Sequence, residues 1–295
     1  MAELFLNITN VILPVLICAA VGYGLAIAKI PFDKNTISGL VTNVGYPTLI
    51  ISHLSKRHVN VAEFLDFMLA AALAVICFGV IGFVVLKLMR LPIRSFLSPM
   101  MLNNVGNIGL PVALLAFGNA GMAFAMAYVV VVVVGIFTVG MWLPMGRFSI
   151  RDLLTSPIIY SVILTLILMS TGYELPKTIG QAFDILGGLS IPLMLLTLGY
   201  TLATLKFSTL WLGLALSVIH VAMAAAVAAA IVWLFGFTGV QKGAFVVSSL
   251  MPVSVATYLF VERYTPEHTG EVASFILVST LLTIVVLTVA LTVWV

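Results

Sequence analysis

Charged residues are scarce in this sequence. They make up only 8% of the 295 residues, against about 25% in soluble domains. A water-soluble globule is thereby excluded; with 62% hydrophobic residues and a mean hydropathy of +1.25, the bilayer is the solvent. Cysteine is nearly absent: Cys18 and Cys77 both lie inside apolar runs, which indicates no disulfide framework and says nothing about redox compartment. The four histidines are scattered and there is no glycine-rich phosphate loop, so no hydrolytic or metal constellation is present and neither an enzyme nor a cofactor is expected. The net charge of +3 is spread singly between apolar runs, which excludes a nucleic-acid partner. The N-terminus, with Glu3 and no basic stretch before a long apolar run, reads as a retained first helix.

What the chain has in quantity is apolar runs of about 20 residues, the length that crosses a bilayer as a helix. Ten candidate spans result: 5–28, 36–55, 63–88, 95–117, 120–145, 154–172, 180–204, 208–235, 240–262 and 270–294. The second is the weakest, interrupted by Asn43, Gly45, Tyr46 and Pro47. Distributing the 13 basic residues over alternate sides puts Lys29, Lys34, Lys87, Arg90, Arg94, Arg147, Arg151, Lys206 and Arg263 on one side and Lys56, Arg57, Lys177 and Lys242 on the other. Basic residues are retained in the cytoplasm, so the richer side is cytoplasmic and both termini face out of what is expected to be a bacterial inner membrane.

The two halves are related. "IPFDKNTISGLVTNVGYPTLII" (30–51) aligns with "LPKTIGQAFDILGGLSIPLMLL" (175–196), with Pro31 matching Pro176 and Pro47 matching Pro192 at an offset of 145. Five spans precede the Arg147 to Arg151 loop and five follow, dividing the chain into 1–147 and 148–295. An odd number per repeat inverts the second half in the membrane, the plan of secondary transporters.

The fourth and ninth spans carry what a membrane helix should avoid. "NNVGNIGLP" (103–111) combines asparagines, glycines and a proline. "VVSSLMPVSVATYLFVERY" (246–264) has Pro252 flanked by Ser248, Ser249, Ser254 and Thr257. Proline removes a backbone donor and clashes with the preceding turn, and unwound backbone at membrane depth is tolerated only against protein or a wet cavity. Each break would expose N–H groups at the start of a half-helix, whose partial positive charge suits a carboxylate. This matters because no Lys or Arg lies near either break in the sequence. Asn103, Asn104 and Asn107 supply amides that either donate to the anion or replace missing backbone partners. Gly106, Pro111, Ser248, Pro252, Ser254 and Thr257 complete the candidate substrate site, although the hydroxyls are expected to bond back to their own helices. His220, in mid-span, reads either as a proton relay or as a neutral side chain bonded to a neighbouring helix. The acid nearest the second break, Glu262, is about 15 Å along a helix from Pro252, which disfavours a sodium site. H+ or Na+ both stay open as coupling ions.

"NVGNIGLPVALLAFG" (104–118) and "MPVSVATYLFVERY" (251–264) resemble the fourth and ninth helices of the auxin efflux carrier family. The resemblance implies an all-α integral membrane fold shared with sodium/proton antiporters and bile-acid symporters, in which broken helices four and nine cross. It implies a scaffold of about 5–55 and 154–204, through which a homodimer is expected, and a core of about 63–145 and 208–294 that moves as an elevator. Asn104, Gly109, Pro111 and Pro252 match the plant pattern, while Asn103 stands where plant carriers have proline. Only about eight residues separate spans five and six, as in compact bacterial members, for which small organic acids are the expected substrate. A sodium-coupled symporter of bile-acid type is the alternative, and a non-transporting sensor a more distant one. The repeat leaves two alignments open, Pro252 with Pro111 or with Asn103, and hence two break points.

Overall fold

The computed structural model describes residues 2–54, 60–146 and 154–293. Lys56, Arg57, Arg147 and Arg151, used above to orient the chain, lie outside them. The described residues are helical throughout, apart from turns and one isolated antiparallel bridge.

Among the described residues every apolar run read as a span is mostly helical, the fourth and ninth being interrupted at 102–104 and 250–254. Ala2–Ile27 is followed by Lys34–Leu40, a π-helical stretch Val41–Gly45 and Tyr46–Leu54. The suspect second span therefore does not break at its polar residues. It widens by a π turn ahead of Pro47, and the Thr48 hydroxyl donates to the Val44 carbonyl at 2.7 Å. Next come Val61–Leu88, Ile93–Met101, and a helical run from Val105 to Met145 with π turns at each end. Unbroken, those 41 residues would extend about 60 Å, twice the roughly 30 Å of hydrocarbon. They are broken at Gly118 (φ +66°, ψ −157°). A Cβ built on Gly121 would lie 2.9 Å from the Ala113 carbonyl oxygen, an approach that only a reversal of the chain permits. The second half follows as Pro157–Thr171, Lys177–Gly188, Ser190–Thr204, Leu210–Phe235, Gly239–Ser249, Val255–Tyr264 and Thr269–Val293.

Five stretches among the described residues are long and apolar enough to cross a membrane, and Val11–Ile27 and Pro157–Thr171 are shorter apolar helices. Their surfaces match that medium. On Val61–Leu88 the small and aromatic residues Phe64, Phe67, Ala70, Ala71, Ala74 and Phe78 are fully buried, while Leu69, Ile76, Val80 and Val84 stand exposed on another face. Trp211 and Trp233, 78% and 82% exposed, flank the lipid-facing helix Leu210–Phe235. They stand 22 positions apart, about 33 Å of helix, a spacing that matches the thickness between two membrane interfaces.

Apolar burial gives little drive between helices in lipid, so close backbone packing takes its place. Ala2–Ile27 packs along Ser190–Thr204 with Gly22 on the Leu196 backbone and Gly199 on the Ala19 carbonyl, leaving no room for a side chain at either. Gly187 likewise meets the Leu49 backbone, and Gly213 the Ser274 backbone. The most extensive packing falls in two sets. Ala2–Ile27 and Tyr46–Leu54 join the helices of 157–204. Val61–Leu88 and Leu110–Gly135 join Leu210–Phe235, Gly239–Ser249 and Thr269–Val293.

Gly199→Leu should wedge the first helix away and destabilise the protein by about 1–3 kcal/mol, the cost of overpacking. Thermal unfolding in detergent checks this, with Gly24→Leu as control, since nothing lies within 4 Å of a Cβ at Gly24.

Candidate functional site

The first break begins where Ile93–Met101, which contains Pro99, ends at Leu102 in extended conformation (φ −113°, ψ 111°). The second lies between Ser249 and Val255, with Ser254 extended (φ −67°, ψ 125°). The two unwound stretches cross antiparallel. Asn104 N–H donates to the Pro252 carbonyl at 2.7 Å and Ser254 N–H to the Leu102 carbonyl at 2.9 Å, bridging Asn103 and Val253. Val253 N–H donates to Ser279 Oγ at 3.3 Å. Backbone groups freed by each break are thus taken up by the other break and by its neighbours, as a water-poor interior demands. The crossing lies at Asn103, at the start of the stretch, and not at Pro111. Pro111 sits inside the following helix, which already starts at Val105. The free helix end expected beyond Pro111 is therefore six residues earlier.

The asparagines divide the work. Asn103, 1% exposed, donates through Nδ2 to the Ser249 carbonyl at 2.6 Å, with the Ser248 carbonyl at 3.5 Å. Those two carbonyls fix the amide orientation, so Asn103 Oδ1 faces His220 Nε2 at 3.2 Å and must accept from it. His220 is fully enclosed, between the rings of Phe78 and Phe275. Of the two readings of His220, the geometry displays the bond to a neighbouring segment. Asn104 is 4% exposed, yet its Nδ2 has no partner among the described residues. A buried amide donor left open costs about 1–3 kcal/mol, so it calls for a partner.

Asn104 faces a cavity of about 300 Å³, within the range of small-molecule sites. Asn103, Asn104, Gly106, Asn107 and Ser254 line it; Pro111, Ser248, Pro252, Thr257 and His220 do not. Thr257 Oγ1 bonds back to the Ser254 carbonyl at 2.7 Å, as expected of a helical hydroxyl, whereas Ser248 Oγ is buried without a partner among the described residues. Gly106 and Asn107 from the half-helix starting at Val105, and Val255 and Ala256 from the one starting after Ser254, belong to the same wall. No side chain caps either start. Two uncapped helix N-termini and one open amide therefore share one chamber, an arrangement suited to an oxyanion.

The wall also holds residues outside the candidate set: Lys34, Ser38, Thr42, Tyr46, Thr197 and Thr201, with Phe137 and Phe260 among its apolar members. A side chain at Gly106 would strike the Tyr46 hydroxyl. Lys34 adds a cation that distance along the sequence did not show: it is remote from both breaks in the chain and is brought to the same cavity by the fold. The signal was present as the four-residue spacing of 34, 38, 42 and 46. Among the described residues no group of three or more His, Cys, Asp or Glu is placed to hold a metal.

His220→Phe keeps the volume and aromatic packing but strips Asn103 Oδ1 of its donor. It should destabilise the protein by about 1–3 kcal/mol; His220→Gln, which retains a donor, should lose less, as read by thermal unfolding.

The chain matches the model of a family described as membrane transport protein in two segments, residues 7–147 and 141–291. It is also similar to an uncharacterized transporter of Methanocaldococcus jannaschii, 27% identical over 276 residues that cover 86% of this chain and 89% of the relative. An all-helical integral membrane protein with crossed breaks at one cavity thus belongs to the membrane transport protein family, that of the auxin efflux carriers.

Proposed function

We propose that this protein is a secondary carrier of a small organic anion, whose carboxylate binds at the crossing between the Asn104 amide and the N-termini at Val105 and Val255. The observation that carries this reading is that Asn104, whose buried Nδ2 has no partner among the described residues, lines the cavity onto which both uncapped helix starts abut. Asn107 and Ser254 add polar groups within the same wall. Asn103 and His220 serve the site by holding the crossing in place.

The wider plan is the ten-span inverted repeat, supported by the two family matches that divide the chain near residue 147 and by helix bounds close to those the sequence predicts. Two sets of tightly packed helices support an elevator in which 61–145 and 210–293 carry the crossing past a scaffold of 2–54 and 157–204. In this reading the cavity is walled on one side by the moving set, through Asn104 and Ser254, and on the other by the scaffold, through Tyr46 and Thr197. The excess of basic residues on one side supports a bacterial inner membrane with both termini outside. Among the described residues the wall carries no carboxylate, which disfavours a sodium site there and leaves H+ coupling and uniport open.

Asn104→Ala should abolish substrate binding and uptake while leaving the fold intact, because the backbone bonds of the crossing do not use that side chain. A thermal-shift screen of mono- and dicarboxylates on wild type and variant measures it, since a ligand of the folded state raises apparent stability. A variant that binds and transports normally contradicts the assignment.

A further inference from the structure

The cavity reaches well beyond the crossing. Lys34 begins the helix Lys34–Leu40, and Lys34, Ser38, Thr42 and Tyr46 all line the wall. Residues four apart share a helix face, so these side chains form one polar stripe. From Lys34 to Tyr46 the stripe covers about 18 Å of helix. It ends where the Tyr46 hydroxyl abuts Gly106, at the first turn beyond the crossing. From the scaffold helix Ser190–Thr204, Thr197 and Thr201 join the same wall, and Thr197 Oγ1 is buried without a partner among the described residues.

Among the described residues Lys34 is the one cationic side chain on that wall, and no Asp, Glu, Arg or His joins it. The adjacent acid, Asp33, is exposed, is not on the wall, and accepts from Thr36 N–H at 3.3 Å and Thr36 Oγ1 at 2.6 Å. The formal charge presented to a solute in the cavity is therefore positive, and it sits at the opposite end from the crossing.

We propose that Lys34 selects anions at the outer end of the cavity and that Ser38, Thr42 and Tyr46 form the track along which the carboxylate passes to Asn104. The inference rests on the reading of the crossing as an anion site. Its chemistry is electrostatic capture: one cation in a narrow, half-desolvated channel raises the local concentration of anions. Coulomb attraction is linear in the charge of the solute, so a dianion gains twice the free energy of a monoanion and the square of its fold-change. The effect weakens with salt, because the outer end is open to screening.

The test is uptake of radiolabelled phenylacetate, a monoanion, and malonate, a dianion, into proteoliposomes holding the purified full-length protein. Lys34→Gln should raise KM for phenylacetate about threefold to fivefold and for malonate by roughly the square of that factor, with kcat near wild type. Lys34→Arg should restore the wild-type KM, and Lys34→Glu should raise it beyond Lys34→Gln. Added potassium chloride should weaken wild type more than Lys34→Gln. An unchanged KM in Lys34→Gln on whichever acid wild type carries overturns the role of Lys34, and so does a rise in Lys34→Arg as large as in Lys34→Gln. Wild type that takes up neither acid contradicts the anion reading itself, an outcome distinct from failure of the Lys34 variants alone.

Discussion

A backbone amide or carbonyl inside hydrocarbon must find a partner within the protein, and the architecture around the cavity follows from that constraint. Helices meet it on their own; two interrupted helices meet it by lending each other their freed groups. The Leu102–Ser254 and Asn104–Pro252 hydrogen bonds do this in pairs, and Asn103 closes the circuit by donating to the carbonyl end of the opposing half-helix. Neither break is tenable alone, which ties the two interrupted helices into one crossing. What the mutual bonding leaves over is also what gives the site its character: the open amide of Asn104 and the uncapped starts at Val105 and Val255.

The surrounding packing sets how that unit sits among the other helices. Glycines at 22 and 199 bring Ala2–Ile27 and Ser190–Thr204 into backbone contact, and Gly213 does the same between Leu210–Phe235 and Thr269–Val293. The cavity wall takes residues from both sets of helices, with Tyr46, Thr197 and Lys34 facing Asn104 and Ser254. A wall shared between two tightly packed bodies is altered by any sliding of one past the other. That is the physical link between this packing and the proposed alternating access.

Much of this was legible in the sequence because the bilayer simplifies it. Runs of apolar residues stand at their helical bounds, and polar residues inside them, such as Asn103 and Pro252, mark the breaks. The match of Pro252 to Asn103 and the structural bridge from Asn103 to Val253 agree to one residue. Less legible was the division among the asparagines, since Asn103 and Asn104 are chemically identical and only the positions of the Ser249 carbonyl and His220 distinguish them. The start of the half-helix at Val105 was hidden because a glycine-rich stretch reads as unwound, whereas the crossing holds it in a π turn. Lys34 escaped because nearness to the site was judged along the chain, whereas the cavity joins it to the breaks only in three dimensions.

Isothermal titration of the purified protein with malonate and phenylacetate, each against its neutral amide, malonamide and phenylacetamide, tests whether the crossing recognises negative charge with backbone and amide donors. Saturable binding of an acid and at least tenfold weaker binding of the amide of the same shape are expected, a difference of about 1.4 kcal/mol or more. An amide that binds as tightly as its acid would contradict charge recognition at the crossing.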